Sequence, residues 1–372
     1  MTSNANPKRA TRSPSVRADA LVRLVGAGWW AGDSRDHSRQ RLEEALRALE
    51  GLEEPRLEVR LSLCMATELQ RAGEADRALA CVQGAVAAAR GMSDLELLRT
   101  GVRQTASTLY WLGRYEESLV AAAEALEVGR SIGDPTVDVN LQLTRFCCLW
   151  DLGRLEAAME AAQAARSLAV ALGAPHPLAL SHSAMGYVCQ ELGLFDEARH
   201  HHQAARRVAE QGGYAALACV SSCDLALVAH LRGDLADARQ RLDVVIASDP
   251  ERSSVFVAWW VLSLRIVLAA TERDAVALRQ ASARLRAVLP QPMRSHQEHH
   301  ARSADLAEAV LQALEGQDAA LAPVLLAYAD ALRPEHGHEP RLLARLAREG
   351  AARQPDAPSR TGGPDPARSA AT

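Results

Sequence analysis

The chain is almost without lysine. Among 42 basic residues in 372, the sole lysine is Lys8, and it stands in a polar N-terminal stretch. A phosphate-binding P-loop and a pyridoxal Schiff base each require a lysine in a structured site, so both classes are set aside. Aromatic residues make up only 4% of the chain and prolines number 16. With Ala, Leu, Arg and Glu dominant, that balance suits helices and disfavours sheets built of β-branched and aromatic residues. Positive charge is not in excess either. The net charge of −4 supplies no field to hold a nucleic acid backbone, so no direct nucleic acid partner is expected.

Long apolar runs are also missing, and the N-terminus MTSNANPKRATRSPS lacks the apolar segment of a secretion signal. A cytoplasmic protein with no membrane partner is therefore expected. The seven cysteines, Cys64, Cys81, Cys147, Cys148, Cys189, Cys219 and Cys223, contain no CxxC pair, and they read as small hydrophobic residues in a reducing compartment. HExxH and GxSxG are absent too, which leaves no recognisable metalloprotease or hydrolase signature.

What the chain does have is a period. WLGRYEES begins at Trp111, DLGRLEAA at Asp151 and ELGLFDEA at Glu191. The turn glycines Gly73, Gly113, Gly153, Gly193 and Gly233 follow one another at 40-residue intervals. Arg273 takes the glycine's place one interval later, and Gly316 and Gly32 lie slightly out of frame at the two ends. Two residues beyond the glycine stands a bulky side chain (Tyr115, Leu155, Phe195, Leu235), with Ala75 an exception. Three further on stands a small one: Ala78, Ser118, Ala158, Ala198, Ala238. A large and a small residue three apart share one helix face, and the small one admits a neighbouring helix. Apolar residues at helical spacing fill the segments on both sides of each glycine, so each unit is a helix, a turn and a second helix.

With Met185-Gly186, Gly193, Phe195, Ala198 and Ala205 on its signature positions, the sequence resembles the tetratricopeptide repeat (TPR) family. The resemblance covers about residues 17 to 350 in a lengthened form, like the TPR-like sensor regions of MalT-type bacterial transcriptional activators. It implies an all-α, right-handed, superhelical solenoid of about eight helix-turn-helix repeats with a C-terminal capping helix near Pro340 to Ala351. The organisation expected is a disordered tail over 1–14, the solenoid over 15–352 and a second disordered tail over 353–372. The departure of the 40-residue period from the family's usual 34 is attributed to longer helices and longer connections.

Ligands of that family lie against the first helix of each pair, so the resemblance places a candidate groove at Arg103, Tyr110, Asn140, Trp150, Tyr187, Asp224, His230 and Trp260. Tyr110 and Trp150 occupy one repeat position in consecutive units and could form an aromatic wall, partly packed, with Phe195 in the spine behind it. Packing between helices is the competing explanation for these aromatics. The histidines of 200–202 and His296, His299 and His300 raise the question of a metal. Successive helical residues point about 100° apart, so the first trio cannot converge on one ion, and no metal or cofactor is expected. The function expected is non-enzymatic and regulatory: capture of a peptide, protein segment or partner domain in the concave groove. A small-molecule sensor, or an enzyme with its active site in an enclosed groove, are the alternatives.

Overall fold

The structure, a computed structural model, describes residues 14–31, 35–71, 74–133, 139–247, 255–289, 298–315, 320–332 and 338–355. Among these there are seventeen helices and no strand. Seven antiparallel pairs follow in order: α1 (Pro14–Ala31) with α2 (Arg35–Leu49), α3 (Pro55–Arg71) with α4 (Ala75–Gly91), α5 (Leu95–Trp111) with α6 (Tyr115–Ser131), then, after α7 (Val139–Asp151) and α8 (Leu155–Ala171), α9 (Pro175–Glu191) with α10 (Phe195–Gln211), α11 (Ala215–Leu231) with α12 (Leu235–Ala247), α13 (Val255–Glu272) with α14 (Ala275–Val288), and α15 (Glu298–Glu315) with α16 (Leu321–Ala331). A single helix, α17 (His338–Ala352), follows. The all-α, TPR-like solenoid expected from the repeat is the fold found. None of the helices is long and apolar enough to cross a membrane.

The 40-residue period resolves into two 17-residue helices and two three-residue connections, as in α9 and α10. The connections are short, so the helices alone carry the lengthening that the sequence had attributed to both. Each helix is about 25 Å long at 1.5 Å per residue. The glycine that follows a first helix adopts a left-handed conformation, with φ +73° at Gly113, +74° at Gly153, +75° at Gly193 and +87° at Gly233. Around Gly193 the hydrogen bonds Gly193 N–H to Gln190 C=O (3.1 Å) and Leu194 N–H to Cys189 C=O (2.8 Å) close the helix end and reverse the chain. A second left-handed series lies halfway between, at Ser93, Gly133, Gly173 and Gly213. Gly32, Gly73 and Gly316 fall outside the described residues.

Two compact units result, Met1–Leu149 and Trp150–Thr372. In the first, Ala78, Val82, Ala85, Ala89, Ala122 and Ala125 pack against Leu63, Val102 and Leu109, the small residues letting helices approach. The core of the second is larger and centres on α13, where every residue from Val257 to Ala270 is buried. Its last helix, α17, contributes Leu342, Leu343, Leu346 and Ala347, and Gln354 just beyond it is buried and donates to the Thr271 carbonyl at 3.0 Å. The packed chain thus runs past 352, where the tail had been expected to begin. Residues 1–13 and 356–372 lie outside the described residues.

The turns can be tested at the backbone alone. No atom lies within 4 Å of a methyl added at Gly193, so Gly193→Ala isolates the left-handed strain and should lower stability by about 1 to 2 kcal/mol. At the equivalent Arg273, φ is +60°, and Arg273→Gly should raise stability by about 0.5 to 1 kcal/mol. Denaturant unfolding of both variants measures the two signs.

Candidate functional site

The first helices of the second unit carry their polar residues on one line. Trp150 at the end of α7, Gln190 on α9 and His230 on α11 share a repeat position, each 40 residues after the last. Tyr187 lies one turn before Gln190, and Asp224 two turns before His230. The Trp150 and Tyr187 rings stack nearly parallel, centroids 4.8 Å apart and planes at 12°. The Tyr187 hydroxyl donates to Asp224 Oδ2 at 2.9 Å. Three successive first helices are thereby joined through two aromatic rings and a carboxylate that is only 1% exposed.

Behind this line stands a residue the sequence reading had assigned to no site. His202, on α10, is fully buried. It reaches the first helix because Gly186 leaves room: a Cβ at 186 would lie 2.5 Å from the imidazole. Its Nε2 pairs with Gln190 Oε1, and its Nδ1 lies 3.5 Å from Asp224 Oδ2. Burial pushes the imidazole down to about 3, so the ring is neutral in the folded chain. The signal in the sequence was the glycine at a small-residue position followed on the next helix by a large polar residue.

His230 is also buried, and neither ring nitrogen has a hydrogen-bond partner among the described residues. Desolvation, with a smaller push from Arg353, lowers it to about 4, and Glu349 opposes the shift. Both charged residues belong to α17 or the turn after it. Arg341 at the other end of α17 donates to the Asp151 carbonyl at 2.6 Å and to the Trp150 carbonyl at 3.0 Å. These are last-turn carbonyls of α7, where intrahelical donors run out and the helix dipole is negative.

The remaining candidates separate from this line. Trp260 is 8% exposed within the α13 core. Arg103, Tyr110 and Asn140 belong to the first unit. There Tyr110 meets Trp111 and Tyr115 at 5.6 and 5.8 Å between ring centroids, Arg103 is half-buried and Asn140 is exposed. Trp150 is 6% exposed, whereas Phe195 is half-buried. This reverses the order of packing expected for the two, because α17 covers the end of α7. The histidine trio diverges as helix geometry requires: His200 is exposed, His201 turns to His182 with Nδ1 atoms 3.3 Å apart, and His202 goes inward. His300 is a core residue whose Nδ1 pairs with Ser263 Oγ at 2.9 Å, and His296 lies outside the described residues. Among the described residues no group of three His, Cys, Asp or Glu side chains is placed to hold an ion.

Two tests follow from this packing. Gly186→Ala should cost about 1 to 3 kcal/mol by driving a methyl into the imidazole, and His202→Ala in the same chain should recover part of it, as a double-mutant cycle would show. Acid should also destabilise the fold before its carboxylates titrate. His182, held near 4 by burial and by His201 and Arg166, His202 and His230 stay neutral in the folded chain but take protons near 6.5 when unfolded. The unfolded state therefore binds more protons between about 6.5 and 4, and stability that is whole above 6.5 falls across that window. Urea midpoints at pH 7 and pH 4.5 measure the loss.

Residues 177–251 match the family model of the tetratricopeptide repeat, and no curated protein matches the chain. Similar solved structures include a Rap protein complexed with competence and sporulation factor (TM-score 0.62, 12% identity, covering 92% of this chain and 95% of that one). NprR in complex with its cognate peptide NprX is also similar (0.54, 15%, 80% and 88%). So is a signal-transduction ATPase with numerous domains and a tetratricopeptide repeat sensor from Pyrococcus horikoshii (0.53, 15%), of which the chain spans 43% while 81% of this chain is covered. What these proteins share with this chain is the fold, antiparallel helix pairs stacked in the tetratricopeptide manner.

Proposed function

We propose that the chain is a non-enzymatic regulatory binding protein, and that the face formed by the first helices of its second unit receives a peptide or protein segment. The observation that carries this reading is the Trp150–Tyr187–Asp224 line. Each member comes from a different first helix, and repetition places them side by side without any of them being needed to form a helix. A repeat stack that kept such a line for packing alone would fill it more cheaply with Leu and Ala, as its other layers are filled. Flat aromatic rings beside a carboxylate suit a ligand that brings a cation or an amide donor together with apolar surface. Arg, Lys and the peptide bond itself all fit. Of the proteins of similar fold, one is complexed with a cognate peptide and one with competence and sporulation factor, which agrees with this class of ligand.

The test is a peptide-display selection against the full chain, followed by fluorescence anisotropy of the recovered peptides. Tyr187→Ala and Asp224→Asn should each weaken binding about 10-fold to 100-fold, on the order of 1 to 3 kcal/mol, while circular dichroism confirms that both variants fold. Selected peptides that bind both variants as tightly as the parent chain would contradict the reading.

A further inference from the structure

A helix in a two-layer stack shows its groove side to solvent unless something covers it. In the second unit much of the groove side is buried, with Tyr187 half-buried. Trp150, Asp151, Gln190, Asp224 and His230 are all less than a tenth exposed, and α13 is buried through fourteen consecutive residues from Val257 to Ala270. α17 reaches the two ends of this line: its Arg341 lies on the last carbonyls of α7, and the charges of Glu349 and Arg353, near its other end, act on His230 of α11. Gly350 packs so closely on α13 that an added Cβ would come within 2.1 Å of the Thr271 side chain.

We propose, resting on the reading above, that α17 occupies the ligand seat of the second unit, and that the ligand is an amphipathic helical segment that displaces it. The seat specifies that segment's chemistry. An arginine in its first turn would meet the C-terminal carbonyls of α7, as Arg341 does. Leucines one, two and five residues later would fill the places of Leu342, Leu343 and Leu346. Glycine must follow where Gly350 passes Thr271. An incoming helix of this pattern restores each contact that α17 gives up, so exchange is close to balanced and ligand concentration decides the occupant. An extended peptide restores none of the helix-to-helix packing, and a nonhelical ligand is therefore disfavoured.

The probe is a fluorescein-labelled peptide of residues 338–355, titrated into the full-length chain and into its Arg341→Ala variant, with hydrogen exchange followed in parallel. Loss of the two carbonyl bonds should release α17 more often. The peptide should then bind Arg341→Ala about tenfold more tightly than the parent chain, α17 amides should exchange about tenfold faster, and a peptide carrying Gly350→Leu should not bind. Equal affinity for both chains, no binding to either, or α17 amides as protected as those of α13 in both would overturn the proposal. Should Arg341→Ala fail to fold, the parent chain decides alone: α17 exchanging about 100-fold faster than α13 supports displacement, and equal protection contradicts it. Selected ligands that depend on Tyr187 and Asp224 while α17 stays fully protected would overturn only this inference and leave the proposed function standing.

Discussion

One backbone conformation, recurring every twenty residues, governs the rest. After α4, α5, α8, α9, α10 and α11 a single residue turns left-handed, the chain reverses within three residues, and the next helix starts in a fixed register. The fixed register makes equivalent residues in successive pairs point the same way, which is why alanines pile on alanines in the first unit. It is also why Trp150, Gln190 and His230 form a row in the second. No helix pair can bury its faces alone, so stability is shared between neighbours and each layer depends on the next.

That row is costly unless it serves something. A buried carboxylate and two buried imidazoles tolerate removal from water only where hydrogen bonds and neutral charge states compensate. Tyr187 supports Asp224, Gln190 supports His202, and desolvation keeps both imidazoles uncharged. Arg341 of α17 lies on the Trp150 end of the row, and the segment proposed to take its place is a helix with an arginine at one end and a glycine at the other.

Much of the fold was legible in the sequence because the repeat is written in residue types with strong backbone consequences. Gly113, Gly153, Gly193 and Gly233 located turns, and the large and small residues after them located helix faces. The second left-handed series was harder to read because Ser93 stands at its head, where glycine was the residue to look for. The candidate site was legible only in part. Trp150, Tyr187 and Asp224 could be grouped by their place in the repeat, which fixes direction but not distance. Trp260 is in the core because α17 folds back onto α13, a contact between segments distant in sequence that no local pattern announces. His202 escaped because its role depends on the space above Gly186, and that space exists only once α9 and α10 are packed together. Trp150 and Phe195 exchanged their expected exposures for the same reason: tertiary cover, not helix face, decides burial.

The account's central claim is that the first-helix face of the second unit is where a ligand sits. Site-specific photocrosslinking tests it most directly, with benzoylphenylalanine introduced at Tyr187 on that face and, as a control, at the exposed Val244 on the second helix of the next pair. With a selected peptide ligand present, the account predicts crosslinked complex from position 187 and little from position 244. Efficient crosslinking at 244 with none at 187 would place the ligand on the second helices and contradict it.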